Sequence, residues 1–404
     1  MKENMTLDDK KFFPLMGSIY IHYIIVGISV MILGQNVDNL TSLWNTDLAG
    51  YAFVISGIGI GKFIVVFVSG ALSDKYGRKP FVMGGMIGFI IAFVGLLNSP
   101  NIHIALIFSI IAGIANAISD TGSMPALMES YPKAPGTATL LIKISIAAAQ
   151  FVLPFIVIAL AKNNLYFGIA FYIFIVILVL NLLFMVRLKF PAKVTKETMK
   201  ESDESATKFH QPVKPMIEGV ALALYGYTCI GGLQIMSVWG PKIGEVSAGM
   251  TASSSRMMTS LFSLGTISAV IITASLVKKL VRPAAILFYH ALVATIVALV
   301  WYMIPTPAMS MVAAFVVGYC VCGGVYQLCI TTMTEFFPGN GGKCTGVVTT
   351  LNSIALWSVP LVTGAMASID MKYVILCLAG LTGISVVLGF IVMVRDRKVF
   401  GIGK

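Results

Sequence analysis

A helix that crosses a bilayer needs about 20 mostly apolar residues, because the hydrocarbon is about 30 Å thick and the helix rises about 1.5 Å per residue. This chain of 404 residues contains twelve such runs. They lie at 14–36, 49–72, 80–97, 102–127, 138–161, 165–187, 216–238, 254–277, 283–304, 308–334, 345–367 and 372–394. No water meets backbone N–H and C=O groups inside hydrocarbon, so a spanning run closes its hydrogen bonds within itself, as a helix. The expected fold class is an all-α polytopic membrane protein with twelve transmembrane helices. Composition excludes the soluble alternative. Only 11% of residues are charged, against about 25% in a soluble domain. The first apolar run is long and has no small-residue cleavage pattern after it, so it reads as an uncleaved spanning helix.

Most connections are short, with turn signals such as Ser99-Pro100-Asn101 and Pro305-Thr306-Pro307. One is not. The stretch 188–214 is polar and rich in Lys, Glu and Ser, and it divides the chain into an N-terminal half (1–187) and a C-terminal half (215–404) of six helices each. The formal charge of +11 raises the question of nucleic acid. With the N-terminus inside, however, all but Lys62, Lys143, Lys162, Lys242, Arg256 and Lys372 of the 28 Lys and Arg fall in cytoplasmic segments. That asymmetry is the positive-inside pattern; it places both termini in the cytoplasm and accounts for the basic balance without nucleic acid.

The halves also repeat. "MESYPKAPGTATLLIKISIAAAQFVLP" from Met128 and "TEFFPGNGGKCTGVVTTLNSIALWSVP" from Thr334 align at a constant offset. Glu129 then matches Glu335, Pro132 matches Pro338, Gly136 matches Gly342, Thr139 matches Thr345 and Pro154 matches Pro360. Parallel repeats of six helices are a known transporter design, so two six-helix bundles are expected.

Between the second and third runs lies "GALSDKYGRKP", Gly70 to Pro80. Its Gly70-x-x-x-Asp74-Lys75-x-Gly77-Arg78-Lys79 resembles the loop between helices two and three of the major facilitator superfamily, and the match is complete. The second-half counterpart, "SLVKKLVRPAAILF", keeps Lys278, Arg282 and Pro283 but lacks the Asp and both glycines. With twelve runs, the central basic stretch and the repeat, the resemblance covers nearly the whole chain. Glycine at position 70 allows close helix approach and glycine at 77 a tight turn. Asp74 suits the positive N-terminal end of a helix, which the resemblance implies is the eleventh, beginning near Gly342. Arg78 pairs with a carboxylate at the inner end of the fourth helix, where Glu129 is the candidate. The stretch therefore reads as a cytoplasmic gate latch made of Gly70, Asp74, Gly77, Arg78 and Glu129.

Ionisable groups at membrane depth are costly and point to function. Asp120 lies two to three turns from the inner end of the fourth helix, with Asn116 one turn earlier on the same face. On the fifth helix Lys143, Ala147, Gln150 and Pro154 share a stripe, so Lys143 is the expected partner of Asp120. Lys62 sits mid-way along the second helix after "SGIGIG". A phosphate loop fails there, because Ser56 stands where its first Gly belongs and Phe63 where its hydroxyl belongs. Gly57 and Gly61 read instead as a small-x-x-x-small packing face, and Lys62 needs a carboxylate, carbonyls or an anionic ligand. Helices one, four, seven and ten line the cavity in the superfamily, and Tyr225, Gln234, Tyr319, Tyr326 and Gln327 suit a wet wall. His22 and His290 read as hydrogen-bonded packing residues, and Asp38 and Arg256 as border charges.

The six cysteines match no zinc spacing, and no nucleophile sits beside a base, so neither metal, cofactor nor enzymatic activity is expected. The reading is a secondary transporter of a small polar organic solute in the cytoplasmic membrane, a monomer whose partners are the solute, protons and the bilayer. Two buried lysines against one buried aspartate favour an organic anion such as a carboxylate or sugar acid. A neutral sugar is the alternative if the charges cancel. A drug/proton antiporter is the other, but the fifth helix has Pro154 and none of the glycines of that group's G-x-x-x-G-P-x-x-G-G signature. The expected solute and ion contacts are Asp120, Lys143, Lys62, Asn116, Gln150, Tyr326 and Gln327.

Overall fold

The computed structural model describes residues 11–131, 135–191, 210–277 and 282–401. It divides into two compact units, Met1–Thr195 and Lys196–Lys404. The division falls inside the polar stretch 188–214, of which residues 192–209 lie outside the described residues, as do Pro132 and Lys278.

Among the described residues, twelve helices are long and apolar enough to span a membrane. In the N-terminal unit they are α1 (Phe13–Gly34), α2 (Leu48–Tyr76), α3 (Arg78–Leu97), α4 (Ile102–Ser130), α5 (Pro135–Lys162) and α6 (Ile169–Arg187). In the C-terminal unit α7 (Val220–Ala248), α8 (Ala252–Val277) and α9 (Pro283–Met303) are followed by α10 (Pro307–Phe336), α11 (Gly341–Ile369) and α12 (Lys372–Phe400). Side-chain caps start several of them: Asp47 accepts from the Gly50 N–H at 2.8 Å, and Asn101 accepts from His103 and Ile104 at 3.1 Å. Outward faces stay apolar, as at Ile64 and Val68 on α2, Leu180 and Leu183 on α6 and Val387 and Phe390 on α12, all exposed. Lipid is the solvent those faces suit.

Both units use one packing scheme. In the first, α1 packs on α5, α2 on α4, and α3 on α4 and α6. In the second, α7 packs on α11, α8 on α10, and α9 on α10 and α12. Small residues make the closest of these approaches. A Cβ on Gly61 would run into the Ile110 carbonyl and one on Gly113 into the Ile58 carbonyl, so α2 and α4 touch backbone to backbone. Gly265 and Gly318 do the same for α8 and α10, against the carbonyls of Phe315 and Phe262.

Four expectations change. The stretch from Gly70 to Pro80 is almost wholly helical: α2 runs through Asp74 and Lys75 to Tyr76, and Gly77 alone, at φ +90°, turns the chain into α3. A Cβ on Gly70 would meet nothing within 4 Å, so the close approach expected there belongs to Gly61 and Gly113 instead. Helix α7 continues ten residues past 238 to Ala248, where Gly249 at φ +64° ends it. Pro241 does not stop it, and Lys242 is in the helix. Finally, the tenth span is broken. Pro307–Val317 (α10a) gives way to a π turn at Gly318–Cys322, then Gly323 and Gly324 (φ +89°), then Val325–Phe336 (α10b). The Gly323 backbone lies against Ala269 of α8, where a side chain would collide. Cys229 of α7 donates its S–H to the Val321 carbonyl at 3.0 Å, giving one carbonyl of the break a partner that lipid would not supply.

Candidate functional site

The glycine seam between α2 and α4 determines what Lys62 reaches. It follows Gly61 directly, and its backbone N lies beside Gly113, so its stem runs along α4 toward residues three and seven positions further on. Its Nζ donates to Asn116 Oδ1 at 2.7 Å and to Asp120 Oδ2 at 3.0 Å. Asn116 and Asp120 are one turn apart and face the same way. Lys62 is buried and Asp120 is not: their side chains are 10% and 34% exposed. The cation is therefore locked in place while its carboxylate remains reachable.

Helix α1 closes the group from the other side. Tyr23 donates to Asp120 Oδ1 at 3.0 Å, so the two carboxylate oxygens have different partners. One position earlier, His22 Nε2 is 2.8 Å from Ser119 Oγ. Sequence reasoning paired Asp120 with Lys143; the structure supplies Lys62 and Tyr23, from helices that no local pattern placed beside α4. Lys143 is a half-buried residue of α5. Gln150, expected at the site, ties α5 to α1 by donating to the Gly27 carbonyl at 2.9 Å.

At the end of the N-terminal unit that carries the α2–α3 turn, Arg78 joins three elements. It donates to Asp74 Oδ1 at 2.7 Å, to Ser73 Oγ at 3.2 Å and to Glu129 Oε1 at 3.3 Å. The Arg78–Glu129 contact expected from sequence is present. Lys79 donates to the Val186 and Leu188 carbonyls at 2.7 and 3.0 Å and so caps α6. The C-terminal unit has a counterpart that the lost aspartate and glycines hid. Arg282, just before α9, reaches Glu335 at 3.4 Å, the repeat partner of Glu129. It holds Asp396 of α12 bidentately at 2.6 and 3.1 Å, and the Asp396 hydrogen bond raises the guanidinium above its ordinary range. The aspartate of the second cluster thus comes from α12 rather than from the helix before the turn. A second buried pair, Arg395 with the fully buried Glu218 at 2.5 Å, ties α12 to the π turn Pro215–Gly219 that opens the seventh span. Neither Asp396 nor Glu218 carried a sequence signal beyond a charge near a helix end.

Among the described residues, the matching positions of the C-terminal unit hold no equivalent of the Lys62 group. The residue after Gly265 is Thr266, and the positions three and seven beyond Gly318 are Val321 and Val325. Tyr326 accepts from Asn352 at 3.3 Å, a neighbour on α11 that sequence did not single out. Gln327 is exposed. Tyr225 is 2% exposed and donates to the Leu287 carbonyl at 2.7 Å. Gln234 is 1% exposed, with neither amide atom partnered among the described residues. Among the described residues no group of three or more His, Cys, Asp or Glu is arranged to hold a metal.

An ion pair between α2 and α4, a turn cluster on an Arg and two like-packed six-helix units stand beside a family match: residues 19–359 match the family described as the Major Facilitator Superfamily. The chain belongs to the major facilitator superfamily. It is 34% identical over 393 residues to the Inner membrane transport protein YdiM of Escherichia coli (strain K12), covering 96% of this chain and 95% of that protein. It is also 34% identical to an uncharacterized major-facilitator-type transporter, YfkL, of Bacillus subtilis (strain 168), over 87% of this chain and 88% of that one. The fold matches a D-xylose-proton symporter with a TM-score of 0.76 at 14% identity, over 95% of this chain and 97% of the other. The protein is thus a multi-pass transporter of the inner membrane type.

Proposed function

We propose that this superfamily member is a proton-coupled symporter of a small organic anion, such as a carboxylate or sugar acid, working by alternating access with both termini cytoplasmic. The observation that carries the reading is the Lys62–Asp120 pair, 3.0 Å apart at membrane depth with the carboxylate reachable. An ammonium has three N–H donors, and Asp120 and Asn116 take two. A solute carboxylate that takes Lys62 leaves Asp120 charged and without its counter-ion in a medium that penalises bare charge. Taking up a proton removes that penalty. Two states of the site are then neutral: empty with Lys62 on Asp120, or loaded with solute on Lys62 and a proton on Asp120. Restricting the conformational change to those two states couples solute to proton. Asp74, Arg78 and Glu129 fit a latch at the cytoplasmic side, so Asp74→Asn weakens closure there.

Proteoliposomes with an inside-alkaline gradient test this with radiolabelled gluconate and xylose. Gluconate accumulation that collapses with the gradient is the expected result; accumulation of neither probe that responds to pH overturns it. A second reading, a neutral-sugar symporter, is favoured by the mutual neutralisation of Lys62 and Asp120 and by likeness to the xylose-proton symporter fold. Under it, xylose rather than gluconate follows the gradient.

A further inference from the structure

Asp120 is gripped from α1 by Tyr23, and the residues next to each of them in sequence are also bonded to one another. His22 is fully buried, and its Nε2 lies 2.8 Å from Ser119 Oγ. The Ser119 hydroxyl donates its single proton to the Ala115 carbonyl at 2.6 Å, so its oxygen is left to accept and the ring must be the donor, through Nε2–H. That assignment leaves Nδ1 as a bare lone pair, and Nδ1 has no hydrogen-bond partner among the described residues. A buried acceptor without a donor is costly, and packing is what enforces it. A Cβ on Gly85 of α3 would run into the Ser119 hydroxyl, and Phe89 sets its ring edge-on to the imidazole at 6.0 Å.

From this we infer that His22 is a positioning residue for Asp120, acting through Tyr23. The His22–Ser119 bond fixes the rotation of α1 about its own axis where it meets α4. A helix rotates 100° per residue, so clamping residue 22 on residue 119 aims residue 23 at residue 120. A small apolar side chain in place of His22 fills the space without the donor, lets α1 turn by a few degrees and withdraws the phenol from the carboxylate. The role needs an N–H at the reach of Nε2 and nothing from Nδ1. Only its consequence for coupling rests on the symport reading above.

Labelling of Asp120 by dicyclohexylcarbodiimide in purified full-length protein, quantified by mass spectrometry, tests this without solute or proton gradient. A carboxyl adds to the carbodiimide carbon more slowly the more hydrogen bonds hold its oxygens, and the Tyr23 bond is one of those on Asp120. Tyr23→Phe and His22→Leu are each expected to raise the labelling rate at Asp120 about tenfold, the equivalent of one hydrogen bond to a charged group. The double variant should rise no further than either alone. His22→Gln, whose amide N–H extends to about the reach of Nε2, should restore the original rate, and His22→Asn, which is too short, should not. A His22→Leu rate equal to the original, or an additive double variant, overturns the inference. So does a rise shared by Glu129 and Glu335, which marks general loosening, or a failure of His22→Gln to restore the rate. A failed symport test leaves these rates unaffected, so the two readings fall separately.

Discussion

At Lys62 the cost of a buried ammonium is met by two acceptors one turn apart on α4, at 2.7 and 3.0 Å. Removing Lys62 leaves the Asp120 carboxylate, 34% exposed, without its counter-ion, and leaves Asn116 without its donor. Lys62→Ala should therefore lower both stability and solute affinity, and thermal melting with equilibrium binding of gluconate on the purified protein measures the two. Asp120→Asn keeps an acceptor for Lys62 and changes only the charge. It should abolish proton-driven accumulation while leaving solute exchange between equal concentrations intact. Accumulation by Asp120→Asn under a proton gradient alone would remove Asp120 from the coupling role. Sequence reasoning found both residues, since charges in apolar runs stand out. It did not bring Lys62 and Asp120 together, because charge and depth say nothing about which helices are neighbours.

At the scale of elements, the α2–α4 seam and the two arginine clusters bear the weight. Gly61 and Gly113 bring carbonyl against backbone, so Gly61→Val must push the helices apart. Overpacking of this kind costs about 1–3 kcal/mol, and Lys62 is the next residue. The expected outcome is a lower melting temperature together with loss of binding, whereas Gly70→Val, in open space, should leave both near the original. In the C-terminal unit, Arg282→Ala strips the nearly buried Asp396 carboxylate, 4% exposed, of a bidentate charged partner. A loss of about 2 kcal/mol is expected, measured by thermal melting, and Arg282→Ala with Asp396→Asn should recover part of it. The "SDKYGRK" pattern made the first cluster legible. The second was hidden because its aspartate had moved to α12, some 110 residues along the chain and adjacent only in three dimensions.

Over the whole molecule, the charge asymmetry predicts that a reporter fused at the C-terminus lies in the cytoplasm and a cysteine at Asn98, beside the Ser99–Asn101 turn, outside. Labelling of intact cells with an impermeant maleimide should modify Asn98→Cys and spare a cysteine at Gly401; the reverse would invert the orientation. The number of spans was readable from the chain alone, because hydrocarbon thickness imposes a length and the bilayer forbids open backbone hydrogen bonds. Spacing along one helix also placed Asn116 with Asp120. What remained undetermined was whatever depends on the packing of helices far apart in sequence. The extension of α7 through Pro241 is one case, and the break of α10 at Gly323-Gly324, beside which the Val321 carbonyl finds a donor on α7, is another. So are the pairing of Lys62 with Asp120, and the clamp of His22 and Tyr23 on α4. Apolar helices look alike to one another from sequence, and only close packing, glycine against backbone, decides which polar groups meet.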